Sequence, residues 1–413
     1  MRYPLSSKLG LIVVKPYVQE LIDRTIACIL DVMRKSRLDK SIRAVILAGA
    51  LSRGEGTILT KKNGIRILSD IDLVFVVRRP WDFFSVGPRM SALLSDLNFP
   101  LKVSVGAMWR MNTHRNVYLY ELKCNGKVLF GDARVLDAIP TFTPKEIPRW
   151  EGIRLLLDSL IGLVGVFTHD SPLQTPSDAE DFYYACVKGY LACCDALLLF
   201  DGRYASTYRE RFQELLEMRP DQMPDRMPGL KEKMVEAMRF KLGIDTGWET
   251  GRITTQSWFD CRDAIIKVLS YTLSMYQGST GGKLETLLDG LKKRVRSKHL
   301  GLVDFVNDIL TEKRLRFSLL TCTPPKLHVQ IAAVYLADAL TKNMKVDPIM
   351  MQRAARHLGS FQHSDRTEID PKDSFQTWSR MAGVLCEAAK RTTDVYLKQD
   401  TGLPRSEIHG ELL

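Results

Sequence analysis

Two aspartates at the start of a strongly apolar run constrain this chain more than any other feature. Asp70 and Asp72 are separated by one residue and lead into a run rich in valine. Residues two apart on a strand project from the same face, so this pattern predicts a strand over 71–77 that carries both carboxylates on one side. The opposite side would be buried by Ile71, Leu73, Phe75 and Val77. Taken alone, an Asp-x-Asp at a strand start is also typical of a turn with solvated acids.

A glycine-rich segment precedes this strand. Residues 45–56 read Val-Ile-Leu-Ala-Gly-Ala-Leu-Ser-Arg-Gly-Glu-Gly. Glycines such as Gly49 let backbone amides come close to an anion, while Ser52 and Arg53 add a hydroxyl and a positive charge. Two carboxylates side by side favour Mg²⁺, a hard cation that usually binds together with substrate phosphates. The two segments together predict a phosphate-binding turn followed by a metal-binding strand.

These residues resemble the signature of the DNA polymerase β-like nucleotidyltransferase superfamily, which has a Gly-Ser turn after a first strand and an Asp-x-Asp pair on a second. The likeness covers residues 1–150. It implies transfer of a nucleoside monophosphate from an NTP, with ATP expected, to an acceptor hydroxyl and release of pyrophosphate. Asp70 and Asp72 would hold Mg²⁺ or Mn²⁺, and Gly49, Ser52 and Arg53 would hold the phosphates.

The chain departs from the family pattern at two points. The serine that follows the first glycine in the family is Ala50 here, so the phosphate-binding hydroxyl would have to come from elsewhere. The family also carries a third carboxylate on the next strand, but the predicted strand 101–108 has Lys102 or Ser104 there. Glu121, on the strand predicted after it, is the nearest replacement. The sequence leaves three alternatives. Glu121 completes the site, or two residues and the substrate hold the metal, or the domain binds nucleotide without transferring it.

The resemblance and the periodicity together predict an α+β chain. A polymerase β-like mixed-sheet nucleotidyltransferase domain would cover 1–148, and an all-helical domain would cover 149–413 with a subdivision near 218–230. In the first domain we predict helices at 16–36 and 88–97, strands at 43–48, 71–77 and 101–108, a hairpin at Asn63-Gly64, and paired strands at 117–123 and 127–130. In the second we predict helices at 150–167, 177–198, 230–241, 257–277, 283–296, 300–312, 327–343 and 374–397.

Basic residues of the helical half are candidate nucleotide ligands. Several members of the superfamily place a helical domain against the catalytic sheet and use its cations to hold the triphosphate. The resemblance assigns this role to Lys188, Arg203 and Arg211. The alternative is that they form a solvated helix face with packed apolar stems.

The net charge of +11 is concentrated in one part of the chain. Residues 1–150 contain 24 Lys and Arg against 13 Asp and Glu, while 151–413 contain 35 of each. This surplus fits a domain that receives a triphosphate, although a solubilising surface would show the same count. The balanced helical half carries no RNA-binding aromatic motif, so stable nucleic-acid binding is not expected. The acceptor could be a small molecule, a protein or an RNA end.

The sequence also predicts where the protein is located and leaves rival functions open. The N-terminus lacks the apolar core of a signal peptide and the chain has no long uncharged apolar run, so we expect a cytoplasmic protein without membrane contact. Eight scattered cysteines lack a Cys-x-x-Cys pair, as expected for reduced thiols. The rivals to an active transferase are a nucleotide-binding or regulatory module that has lost catalysis and a toxin–antitoxin component that modifies a partner protein.

Overall fold

The first part of the chain forms a four-stranded mixed sheet and a separate hairpin. The computed structural model describes residues 16–61, 64–94, 101–112, 114–167, 176–224, 229–244, 254–279, 281–298, 325–359 and 374–393. The strands are β1 (Ile42–Ala48), β2 (Ile58–Lys61), β3 (Gly64–Ile67), β4 (Ile71–Val77), β5 (Leu101–Ala107) and β6 (Lys127–Gly131). The sheet order is β5-β4-β1-β6, in which β1 is antiparallel to both neighbours and β4 is parallel to β5. The predicted Asn-Gly hairpin is the antiparallel pair β2–β3, although the turn residues 62–63 lie outside the described residues.

Helices surround this sheet and make up nearly all of the rest of the described chain. Those of eight residues or more are α1 (Pro16–Lys35), α2 (Phe83–Leu94), α3 (Val117–Asn125), α4 (Trp150–Gly165), α5 (Pro176–Asp201), α6 (Tyr208–Leu216), α7 (Leu230–Lys241), α8 (Thr255–Gln277), α9 (Leu284–Lys298), α10 (Pro325–Ala339), α11 (Pro348–Leu358) and α12 (Ser374–Thr393). The described part is therefore α+β with a mixed sheet, as predicted. The helix predicted at 300–312 lies outside the described residues.

Each face of the sheet is buried against a different set of helices. Leu73 and Phe75 of β4 belong to a buried cluster with Ile26 of α1 and Met90 of α2. The residues expected on this face, Ile71, Leu73, Phe75 and Val77, all lie in that cluster. The opposite face, including Val74, belongs to a larger cluster that continues through the helices after residue 150. The sheet is thus the middle layer between α1–α2 and the helical part.

The long helix α5 runs through the centre of the helical part. Its stretch Ala179–Asp201 is long and apolar enough to cross a membrane, but 78% of the apolar window is buried inside the fold. Helix α5 packs against α4, α7 and α8. That burial is typical of the central helix of a bundle, whose side chains are apolar on every face.

One strand prediction is wrong. Residues 117–125 form helix α3, not the predicted strand at 117–123. The Asn116 side chain accepts a hydrogen bond from the Leu119 N–H at 2.8 Å and so caps the helix, which ends before Gly126. The β-branched and aromatic residues at its start favour a strand, but an N-cap and packing against the sheet outweigh that weak preference. The partner prediction at 127–130 is confirmed as β6, which pairs with β1 instead of with 117–123.

Besides α3, two other helices of eight residues or more in the described chain were not predicted. Helix α6 follows Thr207, which forms a capping box with Glu210, and α11 follows Asp347 with Pro348 at its first position. Both are start signals that can be read from sequence. No helix was predicted at either place because each segment is short and rich in charged residues, so its apolar periodicity is weak.

Candidate functional site

Asp70 and Asp72 lie where β4 begins, on the face of the sheet that looks toward the helical part. Asp72 is in register with Ala48 of β1 and with Lys102 of β5. Its side chain is 21% exposed, and Asp70 is also only partly buried. Asp72 shares its side of the strand with Val74, which packs into the helical core. Asp70 comes directly before β4, and its charge acts on Tyr184 of the helical part. The predicted strand at 71–77 is confirmed as β4.

Gly49 leaves room for the Asp72 side chain. It opens a helical turn after β1 with a φ of 68°, a conformation that side chains other than glycine rarely adopt. A Cβ atom at this position would overlap the Asp72 Oδ2 atom. Glycine is required here by both its backbone and the space that the Asp72 carboxylate occupies.

Lys102, one of the two residues predicted at the third-acid position, pairs with Asp72. Lys102 Nζ lies 3.2 Å from Asp72 Oδ1, and the two residues are direct partners on parallel strands. Ser104, the other residue predicted at this position, is buried. The Tyr118 hydroxyl of α3 is buried close to these groups, and burial raises the pKa of Tyr118 while the charge of Asp72 adds to the effect. The carboxylate of Asp72 is thus neutralised by a cation of the chain itself.

Glu121 does not accompany the aspartates as a third acid. Its carboxylate accepts hydrogen bonds from Arg53 Nη1 at 2.9 Å, from Arg211 Nη2 at 2.6 Å and from the Tyr204 hydroxyl at 2.6 Å. Burial alone would raise the pKa of Glu121, but the charges of Arg53 and Arg211 outweigh it and hold the pKa below its usual range. A carboxylate with three strong donors is stabilised in its charged form and is a poor general base.

Ser52 and Arg53 bind groups of the chain. The Ser52 hydroxyl donates to the Gly49 carbonyl at 2.8 Å. The Arg53 side chain is 3% exposed and contacts both Glu55 and Glu121. Glu55 in turn accepts the Tyr208 N–H at 2.9 Å and caps the start of α6. In this arrangement Arg53 joins the turn after β1 to α3 through Glu121, and Glu55 joins it to α6.

Arg211 and Arg203 are also ion-paired. Arg211 is 1% exposed, contacts Glu121 and Asp195, and lies over the Tyr208 ring at 4.1 Å. Asp195 Oδ1 has no hydrogen-bond partner in the described part of the chain, and burial raises the pKa of Asp195. Arg203 is nearer the surface, where it pairs with Glu214 and Glu217. We call Arg53, Glu55, Glu121, Asp195 and Arg211 the buried charge network.

Two further cations, Lys188 and Lys241, come from the helical part, and only Lys188 was predicted. Lys241, at the end of α7, is buried and places Nζ 3.0 Å from the Ser69 hydroxyl oxygen and 3.4 Å from that of Tyr184. Lys188, on α5, lies over the Tyr184 ring at 4.7 Å. Burial would raise the pKa of Tyr184, but Lys241 and Lys188 lower it to about 8 against the opposing charge of Asp70. The prediction named Lys188 but missed Lys241, because nothing near residue 241 signals a contact with a residue 172 positions earlier.

The residues around β4 do not fit a catalytic Mg²⁺ site. Such a site needs several oxygen ligands, and carboxylates that stay ionised and unpaired are the ones that attract the ion. Of the three acids predicted for the site, Asp72 is paired with Lys102, and Glu121 is bound by two arginines. Within the described ranges, no three His, Cys, Asp or Glu side chains are grouped so that they would hold a metal ion.

Comparisons of the chain with protein-family models, with curated proteins and with solved structures give no significant match.

Proposed function

We propose that this chain binds a nucleoside triphosphate in the cleft between the start of β4 and helices α5 and α7, without metal-dependent transfer. The observation that carries the proposal is the ion pair between Lys102 and Asp72, at the position where the resemblance implies a third metal ligand. An ammonium group at this point repels a divalent cation and neutralises the carboxylate that would hold it. This is the nucleotide-binding module that the sequence analysis left open beside the active transferase.

The charge of the cleft supports an anionic ligand. The Lys102 ammonium pairs with Asp72, while Lys188 and Lys241 both contact Tyr184, whose pKa also responds to the charge of Asp70. Within the described residues, the Lys241 ammonium has hydroxyl partners but no carboxylate within ion-pairing distance. A buried ammonium without a counter-ion attracts an anion strongly, since little water screens the interaction.

Nucleotide titrations with and without metal test the proposal. We expect ATP to bind the purified chain in calorimetry with EDTA present, and we expect Mg²⁺ to change the affinity little. Lys188→Ala should weaken binding about tenfold, because one charge-assisted contact contributes about 1.5 kcal/mol. Lys188 is exposed, so its removal leaves the fold intact. Lys233→Ala, which removes an exposed lysine of α7 that pairs with Glu236, is the matched control and should bind like wild type.

Two results would contradict the proposal. If no NTP binds, with or without metal, the nucleotide-binding proposal is wrong. Label transfer from an NTP to a protein, RNA or small-molecule fraction in the presence of Mg²⁺ or Mn²⁺ would restore the active transferase. That activity, the acceptor, the choice of ATP and the cytoplasmic location stay predictions from the sequence.

A further inference from the structure

The end of β4 opposite the proposed nucleotide site carries an exposed tryptophan. Trp81 lies in a short 3₁₀ helix (Pro80–Asp82) that follows β4, and it is 66% exposed. Because β4 is an extended strand, this short helix lies about 20 Å from Asp72. A single exposed apolar side chain is common on protein surfaces, so what surrounds the ring decides whether it is a binding site.

Two arginines lie directly beside this tryptophan. Arg78 and Arg79 precede the short helix, and the Arg79 guanidinium lies over the Trp81 ring, 5.7 Å from its centroid. The Arg78 N–H donates to the Ser41 carbonyl at 2.9 Å. This backbone hydrogen bond brings the segment 37–41 next to the short helix, so the charges of the two segments act on the same surface.

The segment 37–41 adds two cations to that surface. Arg37 and Lys40 are exposed, as are the two arginines before the short helix, and none of the four forms an ion pair within the described ranges. The acids of the same two segments, Asp39 and Asp82, are only partly exposed. The surface therefore has a net positive charge and presents cations that can bind an anion. We call these four cations and Trp81 the basic edge.

The geometry points to single-stranded nucleic acid: we propose that Trp81 stacks on a base while the four cations of the basic edge bind neighbouring phosphates. The Arg79 guanidinium covers one side of the indole, which leaves the other side for the base. Guanidinium groups bind phosphate oxygens through paired N–H donors. An aromatic ring flanked by unpaired cations is thus suited to a chain of bases and phosphates.

Other polyanionic partners fit the basic edge less well. A partner helix or a membrane surface is held by several apolar anchors, but Trp81 is the only large apolar side chain exposed in the described segments 37–41 and 78–82. The expectation of no stable nucleic-acid binding came from the helical half. The basic edge belongs instead to residues 1–150, which hold the surplus of positive charge.

Fluorescence anisotropy with a labelled oligothymidylate of about 12 nucleotides tests the basic edge. Wild type should bind the oligomer at about 50 mM salt and lose about fiftyfold in affinity by about 200 mM, as expected for four phosphate contacts to a single strand. Trp81→Ala should weaken binding about tenfold, whereas Trp81→Phe should keep most of the affinity because phenylalanine also stacks. Arg78→Glu combined with Arg79→Glu should weaken binding about a hundredfold. Two matched controls, Ile349→Ala and Arg219→Glu, change exposed residues of the helical part and should bind like wild type.

An abasic oligomer of the same length separates stacking from charge. It carries the same phosphates without bases, so wild type should bind it about tenfold more weakly than oligothymidylate, while Trp81→Ala should bind both alike. Equal affinities in wild type would contradict the stacking role of Trp81. Trp81→Ala should bind ATP as wild type does, because the proposed nucleotide site lies at the other end of β4. The two proposals can therefore fail separately.

Two results would overturn the proposal. The first is a wild type that does not bind the oligomer at about 50 mM salt, or variants of the basic edge that bind it as wild type does. The second is binding of polyglutamate or of anionic lipid vesicles that depends on the basic edge, without binding of the oligomer. That result would assign this surface to an acidic protein or to a membrane.

Discussion

At the scale of single residues, the proposed function depends on one lysine. Lys102 is the register partner of Asp72 and pairs with it, so in the proposal its positive charge opposes a cation at the start of β4. An acid there would place a third carboxylate beside two others. Like charges at such distances are stabilised when a divalent ion neutralises them.

The first prediction therefore concerns Lys102→Asp. We expect this variant to bind Mg²⁺ more tightly than wild type, measured by calorimetry or by displacement of a luminescent lanthanide ion. Lys102→Ala is the control, since it removes the ammonium without adding an acid, and should gain much less. Equal Mg²⁺ affinity in wild type and Lys102→Asp would show that the position does not control the metal.

The second prediction concerns Gly49→Ala. The φ of 68° and the overlap of a new Cβ with Asp72 Oδ2 both oppose the substitution, so it should cost about 1–3 kcal/mol of unfolding free energy in urea. Gly162→Ala in α4 is the matched control, because nothing lies within 4 Å of its new methyl group. That control should be neutral or stabilising by up to about 1 kcal/mol. Similar losses in the two variants would contradict this account of Gly49.

At the scale of elements, α3 connects the sheet to the helical part. It carries Tyr118 toward Asp72 and Glu121 into the buried charge network. Glu121 contacts Arg53 after β1 and Arg211 on α6, so a single carboxylate joins three elements. Removing one member of such a network leaves its partners buried with unbalanced charge, which is the main source of its sensitivity.

The third prediction follows for Glu121→Gln. We expect a loss of about 3 kcal/mol of unfolding free energy at pH 7, because both arginines lose a counter-ion. The folded-state pKa of Glu121 lies below its ordinary value of 4.5, so its contribution is present above that value and is lost as the pH falls through the lowered one. The stability gap between wild type and variant, measured in urea, should thus shrink below about pH 4. A gap that is constant from pH 7 to pH 3 would contradict this.

At the scale of the whole molecule, the sheet and the helical part share one core. The buried cluster that contains Val74 continues into Leu156, Leu198 and Trp258 of the helices. The buried charge network crosses the same boundary, as does the contact of Lys241 with Ser69. The boundary predicted at 148 lies just before α4, but the chain on its two sides is packed together.

The fourth prediction is that the chain unfolds in one transition. Separating the sheet from the helical part would expose an apolar face of the sheet and leave buried charges without partners. Neither part should therefore stay folded once the other has unfolded. Far-ultraviolet circular dichroism reports mainly the helices, and hydrogen exchange of the backbone amides of β1 and β4 reports the sheet. Coincident urea curves are expected. Two separated midpoints would mean that the parts are independent domains.

The sequence by itself determined the features that depend on neighbours along the chain. Alternation with a period of two predicted the strand β4 with Asp72 opposite its apolar face, and helical periodicity located most of the long helices. The mixed α+β class followed from the order of these patterns. Residues 117–123 were assigned to a strand because the segment begins with β-branched and aromatic residues, and only the cap and the packing make 117–125 a helix.

The tertiary structure alone decided which charges meet. Lys102 faces Asp72 because β5 pairs with β4 in one register, and a shift of one residue would turn the lysine away. Arg53 and Arg211 converge on Glu121 from 68 and 90 positions away, and Lys241 reaches Ser69 across 172. Local propensity carries no information about such contacts, because they arise when separate elements bury their apolar faces together. The identity of the acids was therefore readable from the sequence, but whether they are free to bind a metal was not.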